Sequence, residues 1–244
     1  MNEGRLSIHA LMTRAPVIPV LALDSADTAP ALARALVDGG LPVLEVTLRT
    51  PAALPAVEAI AREVPEALVG VGTLTRAADA IAARDAGARF LVSPGLTDTL
   101  IGAVLNVDIP LLPGISTPSE LMRAVEAGFD RLKFFPAEAN GGVGALKALA
   151  GPFPAVQFCP TGGIRPGNYL DYLALPNVLC VGGSWLAPGD AVAAGDWSRI
   201  TSLAAAVSGG RSAIDPTQSR AAAAEDWYSV AGEEDPGSAD EALR

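Results

Sequence analysis

The sequence predicts an α/β protein whose parallel sheet closes into a (β/α)8, or TIM, barrel. Eight short apolar runs recur roughly every 20 to 25 residues, each followed by a polar or glycine-rich loop and an alanine-rich helical pattern. Runs this continuous are typical of parallel strands that helices cover on their outer side. Eight strand–helix units favour the closed barrel. An open doubly wound sheet is the alternative, but no Gly-x-Gly-x-x-Gly loop follows the first run.

The predicted elements follow in a regular order along the chain. The strands are Val17–Leu23, Val43–Thr47, Leu68–Val71, Phe90–Ser93, Pro110–Pro113, Arg131–Phe135, Ala155–Pro160 and Val178–Gly182. The helices are Ala29–Asp38, Ala52–Val64, Arg76–Ala86, Asp98–Leu105, Pro118–Ala127, Val143–Leu149, Pro166–Leu175 and Ala191–Val207. Glycine stands just past several of these helices, as helix C-termini prefer. A short amphipathic helix is also expected at Met1–Ala10.

The segment after Ser208 differs in composition from the rest of the chain. It holds eight acidic and three basic residues, a net charge of −5 out of a total of −10. Such a segment is typical of a flexible tail. We therefore predict one barrel domain over 1–208 and a flexible acidic tail over 209–244, with a short helix near Thr217–Val230.

Composition limits the classes of partner. With 244 residues, 50% of them hydrophobic, the chain can bury one large core. A net charge of −10 offers no basic face for nucleic acid, and no apolar run approaches the roughly 20 residues that span a bilayer. No signal-peptide pattern precedes the domain, so a cytoplasmic location is expected. Cys159 and Cys180 lie on predicted buried strands and are therefore expected to be core thiols. The single histidine, His9, excludes a multi-histidine metal site within one chain.

One strand carries a lysine where a lysine is costly. Only two of the 17 cationic side chains are lysines, Lys133 and Lys147. Alternation along Arg131–Phe135 puts Lys133 on the face opposite Leu132 and Phe134. A buried ammonium is costly unless it is paired or neutral, and a desolvated lysine can lose its proton and attack a carbonyl. A structural lysine that reaches the strand end is the alternative.

Polar side chains collect at the predicted strand ends, where barrels place their chemistry. On the second strand, alternation puts Glu45, Thr47 and Arg49 on one face. A carboxylate, a lysine and an arginine are therefore expected at one mouth. The seventh and eighth strands end in Thr161-Gly162-Gly163 and Gly182-Gly183-Ser184, the place where barrels often bind phosphate through backbone N–H groups. The alternative is that these glycines only turn the chain.

Six motifs together resemble one enzyme family. They are Glu45-Val46-Thr47-Leu48-Arg49-Thr50, Gly70-Val71-Gly72-Thr73, Ser93-Pro94-Gly95, Pro113-Gly114-Ile115-Ser116-Thr117, Lys133-Phe134-Phe135-Pro136-Ala137-Glu138 and Pro160-Thr161-Gly162-Gly163-Ile164. From about Leu6 to Val207 the chain resembles the 2-keto-3-deoxy-6-phosphogluconate (KDPG) aldolases, which also cleave 4-hydroxy-2-oxoglutarate. The resemblance implies a class I aldolase barrel, a homotrimer with no metal or other cofactor, acting on a 2-keto-3-deoxy sugar acid phosphate.

The resemblance also implies residue roles. Lys133 would form the Schiff base and Glu45 would shuttle protons. The expected substrate contacts are Arg49 and Thr73 for the pyruvate carboxylate, Pro94 and Phe135 around the reacting carbons, and Thr161, Gly162, Gly163, Gly183 and Ser184 for the phosphate. Many members carry an arginine or lysine after the first strand, where this chain has Ala22-Leu23-Asp24.

Three other classes remain open at this point. An aldolase of the same family for the galactonate epimer would differ at a single stereocentre. A phosphate-binding barrel isomerase would need no strand lysine. A barrel that only binds a sugar phosphate would not need Glu45, Arg49 and Lys133 together.

Overall fold

The structure, a computed structural model, describes residues 6–209. The predicted acidic tail from residue 210 onward, with the helix expected near Thr217–Val230, lies outside the described residues. So do the first five residues of the predicted N-terminal helix.

The described residues form two parallel sheets. The strands are β1 (Val17–Leu21), β2 (Val43–Thr47), β3 (Leu68–Gly72), β4 (Leu91–Val92), β5 (Leu111–Leu112), β6 (Gly114–Ile115), β7 (Arg131–Phe134), β8 (Gln157–Pro160) and β9 (Val181–Gly183). One sheet has the order β5-β4-β3-β2-β1-β9 and the other β6-β7-β8. This order runs sequentially, with the last strand beside the first, and it has no reversal of the kind that defines a doubly wound sheet.

Helices follow most strands. They are α1 (Ile8–Met12), α2 (Ala29–Asp38), α3 (Ala53–Glu63), α4 (Ala77–Asp85), α5 (Asp98–Val107), α6 (Pro118–Glu126), α7 (Gly142–Ala150), α8 (Tyr169–Leu173), α9 (Gly189–Ala194) and α10 (Trp197–Ser208). The prediction of a parallel α/β fold is confirmed, and the strands curl into a half-barrel. Isolated bridges Phe158↔Val178 and Thr161↔Gly182 connect β8 to the segment that ends in β9.

Two predicted elements are divided in the structure. The fifth predicted strand is interrupted at Pro113, which has no N–H to donate to a neighbouring strand, so β5 pairs with β4 and β6 with β7. The last predicted helix, Ala191–Val207, breaks at Gly195, whose φ of 66° is left-handed. Asp196 then begins α10 by accepting a hydrogen bond from the Arg199 N–H at 3.1 Å.

The seventh predicted helix is shorter than expected. Its first residues form a turn in which the Arg165 N–H donates to the Asn168 side-chain oxygen at 2.8 Å. Helix α8 therefore begins only at Tyr169. The hydrogen-bonding capacity of asparagine favours such turns over helix.

The strands bury two different faces. Leu44, Val46, Leu132 and Phe134 pack with the helices in the larger cluster. The opposite side, called here the inner face, carries a second cluster of Leu11, Met12, Ile18, Val43, Phe90, Val92, Leu112, Cys159 and Cys180. Because Leu11 and Met12 belong to α1, which directly precedes β1, this helix closes the inner face at the N-terminal end of the strands.

Glycine makes room inside the sheet at one point of the inner face. A Cβ on Gly70 would lie 2.5 Å from the Phe90 ring, so that ring occupies the space that a side chain would fill. Helix α1 is further attached to β7 by a hydrogen bond from Arg131 Nε to His9 Nδ1 at 3.3 Å. None of the helices within residues 6–209 is long and apolar enough to cross a membrane.

Candidate active site

A lysine–glutamate pair lies on the inner face above this apolar cluster. Lys133 Nζ on β7 and Glu45 Oε1 on β2 are 3.2 Å apart, and the two residues are only 5% and 3% exposed. Their position confirms the alternation predicted for both strands, because their neighbours Leu44, Val46, Leu132 and Phe134 face the helices. Lys133 therefore does not extend to the surface, and the alternative of a lysine that reaches solvent at the strand end is wrong. Two opposite charges buried at this distance stabilise each other, and removing either one would leave an unpaired charge in the interior.

Gly72 gives the Glu45 side chain its place. Glu45 and Thr47 pair with Gly70 and Gly72 of β3. A Cβ on Gly72 would lie 2.1 Å from Glu45 Oε1 and 2.5 Å from its Cγ, so the carboxylate occupies the space above the glycine. Sequence reasoning treated Gly72 only as part of a motif. The signal that could have revealed this role is the glycine on β3 that pairs beside Glu45 on β2, where the missing side chain leaves space for the carboxylate.

Phe135 and Thr73 border the pair. The Phe135 ring centroid is 5.1 Å from Lys133 Nζ, within the range of a cation–π contact. Thr73 follows β3 and has a φ of 58°, an uncommon backbone conformation for a residue with a side chain. Pro94, which follows β4, is partly buried at the same edge of the sheet. Backbone strain of this kind clusters at functional sites, which agrees with the assignment of Thr73 to the site.

Arg49 and Ser184 share a cleft beside the pair. The cleft has a volume of about 480 Å³. It is lined by Val20, Leu21, Ala22, Leu23, Asp24, Ser25, Thr28, Thr47, Arg49, Ser184, Ala187, Gly189, Val192 and Ala193. Thr47 connects the cleft to the pair, since it ends β2 two residues after Glu45, and its hydroxyl donates to the Leu21 carbonyl at 2.9 Å. Arg49 lies in the turn after the strand and is exposed, so the alternation predicted along this strand does not extend to it. Within residues 6–209 no ion pair joins Arg49 to a carboxylate, so its guanidinium is available to an anion.

The loop after β1 brings a carboxylate to this cleft. Asp24 lines it together with the hydroxyl-bearing Ser25 and Thr28. Ala22, Leu23 and Asp24, which stand where many members of the family have an arginine or lysine, therefore line the cleft directly.

The two glycine turns meet at the same edge. The bridge between Thr161 and Gly182 brings them together, and a Cβ on Gly182 would lie 2.3 Å from the Thr161 hydroxyl. Gly162 and Gly163 have φ values of 100° and 79°, which only glycine adopts readily. Neighbouring side chains cover two of these glycines. A Cβ on Gly163 would strike Glu138, and a Cβ on Gly183 would lie 1.9 Å from the Trp185 ring. These two glycines therefore serve close packing within the protein as well as any approach by a ligand.

Sequence reasoning missed the group that packs behind the first turn. The buried Tyr172 on α8 donates a hydrogen bond from its hydroxyl to Glu138 Oε1. Burial, and next the hydrogen bond and charge of Glu138, raise the pKa of the Tyr172 phenol well above its ordinary value. Position in the sequence gave no sign of this pairing, because the two residues are 34 positions apart.

Several other predictions can be compared with the structure. Lys147 is exposed on α7, away from the pair. Cys159 and Cys180 are both buried, as expected of core cysteines. Within residues 6–209, no three His, Cys, Asp or Glu side chains come close enough to hold a metal ion.

A buried lysine paired with a carboxylate, beside a cleft that contains an arginine, on a parallel α/β scaffold is the arrangement expected of a class I aldolase. Comparison with known proteins agrees. The KDPG and KHG aldolase family matches residues 8–203. The chain belongs to this family, and the resemblance seen in the sequence is confirmed.

Relatives match along nearly their whole length. The chain is 55% identical over 204 residues to the KHG/KDPG aldolase of Escherichia coli K12, covering 84% of this chain and 96% of that protein. It is 55% identical over 203 residues to the 2-dehydro-3-deoxy-phosphogluconate aldolase of Pseudoalteromonas atlantica, covering 83% and 94%. Among solved structures, the KDPG aldolase of Legionella pneumophila, with pyruvate captured as a covalent carbinolamine, matches with a TM-score of 0.80. It shares 48% identity and covers 82% of this chain and 97% of that one.

Proposed function

We propose that this chain is a class I aldolase that cleaves 2-dehydro-3-deoxy-6-phosphogluconate to pyruvate and glyceraldehyde 3-phosphate. The same site would cleave 4-hydroxy-2-oxoglutarate to pyruvate and glyoxylate. The observation that carries the proposal is the buried Lys133 Nζ held 3.2 Å from the Glu45 carboxylate. Relatives that are 55% identical to this chain over the matched 203 to 204 residues are named for these substrates.

The pair accounts for each proton in the reaction. Lys133 attacks the C2 ketone as a neutral amine, and Glu45 is within reach of the proton that it gives up. Glu45 then protonates the carbinolamine hydroxyl, which leaves as water and yields an iminium. Next, the carboxylate takes the proton from the C4 hydroxyl as the C3–C4 bond breaks, and the bonding electrons move into the iminium to form an enamine. Glu45 then gives this proton to C3 of the enamine, and water adds to the resulting iminium, which releases pyruvate and restores Lys133.

The residues around the pair orient the substrate. Arg49 would bind the pyruvate carboxylate, because a planar guanidinium suits a planar anion, and Thr73 would add a hydrogen bond. Phe135 and Pro94 would form walls that limit water around the imine. The electron sink of this mechanism is the iminium, so the reaction as proposed uses neither a metal nor an organic cofactor.

The phosphate would lie where the two glycine turns meet. Thr161 and Ser184 would supply hydroxyl donors, and Gly162, Gly163 and Gly183 would supply backbone N–H groups. Because Trp185 packs over the Cα of Gly183 and Glu138 over that of Gly163, these two glycines would contact the ligand only through their N–H groups. Neither turn contains a cation, and Asp24 stands on the cleft wall, so neutral donors would carry most of the binding.

Three broader features belong to the same proposal. The bridges between β8 and β9, and the pairing of β1 with β9, favour a closed (β/α)8 barrel over residues 1–208. Apolar side chains exposed on three consecutive helices, Ile81 at 51%, Leu105 at 79% and Met122 at 54%, favour burial in a homotrimer. A cytoplasmic location fits a sequence with only two cysteines, both of them buried in the core.

Borohydride trapping tests the proposal. Incubation with pyruvate and borohydride should label Lys133 covalently, and peptide mass spectrometry should find that label. Lys133→Ala should abolish both trapping and cleavage, whereas Lys147→Ala, an exposed change on α7, should alter neither. A label on Lys147, or turnover without trapping, would favour an isomerase or a different nucleophile. Pyruvate release from both C4 epimers separates this aldolase from the galactonate alternative.

A further inference from the structure

Two loops meet beside the proposed phosphate site. The Ala137 N–H donates to the Thr161 carbonyl at 2.8 Å, and the Glu138 N–H donates to the Gly162 carbonyl at 3.1 Å. These bonds join the loop that follows the Lys133 strand to the Thr161–Gly163 turn. Glu138 therefore lies at the junction between the reacting lysine and the turn that would hold the phosphate.

The Glu138 side chain packs directly on the turn. A Cβ on Gly163 would lie 2.4 Å from Glu138 Cγ and 2.6 Å from its Cβ. The Glu138 side chain therefore fills the space in which a side chain at position 163 would stand. The side chain thus limits where the Gly163 backbone, and its N–H, can be.

Tyr172 holds the carboxylate in that position. Its side chain is fully buried on α8, and its hydroxyl donates to Glu138 Oε1. A buried phenol needs a hydrogen-bond partner, and here the partner is a charged oxygen, which makes the bond strong. Among residues 6–209 no hydrogen bond joins Glu138 to Lys133 or Glu45, so the carboxylate has no direct part in the proton transfers.

Helix α8 also reaches the second turn. The Tyr169 ring centroid lies 5.9 Å from that of Trp185, and the Trp185 ring covers Gly183. A single short helix thus supports both turns from behind through its two tyrosines.

We propose that Glu138, held by Tyr172, is a positioning residue that sets the place of the Thr161–Gly163 turn relative to Lys133 and so determines the preference for a phosphate-bearing substrate. This inference rests on the proposed phosphate site. A six-carbon substrate must bind at both its C2 carbonyl and its distal phosphate, so its affinity depends on that separation. A substrate without phosphate does not need the turn.

The test compares KM and kcat on the two substrates for Tyr172→Phe, Glu138→Ala and Glu138→Gln. Tyr172→Phe removes only the hydroxyl, and Glu138→Ala removes both the carboxylate and its packing on Gly163. We expect Tyr172→Phe and Glu138→Ala each to raise the KM for 2-dehydro-3-deoxy-6-phosphogluconate about five- to tenfold relative to that for 4-hydroxy-2-oxoglutarate, the scale of the net contribution of one ordinary hydrogen bond, because the lost bond acts on the phosphate only through the position of the turn. Glu138→Gln keeps a side-chain oxygen that accepts the hydrogen bond from the Tyr172 hydroxyl, so its KM ratio should stay close to that of the wild type.

Two further measurements separate positioning from other roles. The rate of pyruvate trapping by borohydride reports Lys133 alone and should stay within twofold of the wild-type rate in these variants. An equal loss on both substrates, or a loss of trapping, would overturn the inference in favour of a general structural or catalytic role.

Ser184→Ala is the reference variant, because it removes a proposed direct phosphate contact. If it changes the KM ratio and the Glu138 and Tyr172 variants do not, the phosphate site stands and the positioning role is wrong. If none of the variants changes the ratio, the phosphate site and the positioning role are both wrong. Should Tyr172→Phe fail to fold, the exposed Glu138 variants give the same comparison.

Discussion

Gly72→Ala should strongly reduce activity, because the new methyl group would displace the neighbouring Glu45 side chain. The new Cβ would lie 2.1 Å from Glu45 Oε1, whereas ordinary contact begins at 3.4 Å, so the carboxylate must withdraw by more than 1 Å. Gly72 does not have a positive φ, so alanine brings no backbone strain of its own. The effect therefore acts through the Glu45 side chain.

The magnitude follows from the need for accurate placement. A displacement of about 1 Å in a catalytic group can cost about a hundredfold in rate. A hundredfold loss in kcat corresponds to about 2.7 kcal/mol of added barrier. Overpacking should also lower the free energy of unfolding by about 1–3 kcal/mol, so the variant should still fold. Gly102→Ala is the matched control, because a Cβ there meets nothing within 4 Å.

The assay is pyruvate release coupled to lactate dehydrogenase, with thermal unfolding followed by circular dichroism. A double-mutant cycle with Glu45→Gln shows whether the effect runs through that carboxylate. If it does, adding Gly72→Ala to Glu45→Gln should cost little more. A Gly72→Ala enzyme within threefold of the wild type, or a full hundredfold loss in the Glu45→Gln background, would refute the reasoning.

Three other outcomes are expected. Glu45→Gln should keep substrate binding but slow turnover by about two orders of magnitude, as loss of an acid–base group usually does. In steady-state kinetics, Glu138→Gln should reduce turnover much less. If Glu138→Gln were the more damaging change, the two residues would have the opposite roles. EDTA should leave turnover intact because the imine is the electron sink, and activity restored by an added divalent metal would contradict this mechanism. The free energy of unfolding should fall at alkaline pH because of Tyr172. Above the ordinary phenol pKa of about 10, the unfolded chain loses the phenol proton, whereas the raised pKa of Tyr172 keeps that proton in the folded chain. Urea unfolding at about pH 8 and pH 10.5 should show a smaller fall for Tyr172→Phe, and equal falls would mean that the phenol is not held as described.

Strand residues were predictable because their spacing carries the information. Period-two alternation predicts that Glu45 and Lys133 point away from their apolar neighbours, and those neighbours do face the helices. Parallel strands buried on their outer face also leave a long apolar signal. The places where prediction failed are those where one residue overrides the pattern. Proline divides the fifth strand, and glycine in a left-handed conformation divides the last helix.

The site was only partly readable from sequence for a related reason. Strand alternation states which face a side chain is on, but it says nothing about which distant loop packs behind it. The contact between Glu138 and Tyr172 depends on how two loops meet in space, and neither residue breaks a local rule. The need for Gly72 likewise follows from the reach of a side chain on the neighbouring strand.

Helix α1 gives the proposed aldolase site a single direction of approach. Within residues 6–209, Leu11 and Met12 cover the inner face at the N-terminal ends of the strands, so a substrate would reach Lys133 from their C-terminal ends. In the proposed reaction, substrate, aldehyde and pyruvate would all pass through this one entrance. In the reverse direction, pyruvate would bind to Lys133 first, and the entrance would then admit any aldehyde that the 480 Å³ cleft accommodates. The proposed site would therefore form carbon–carbon bonds between one nucleophile and a range of electrophiles.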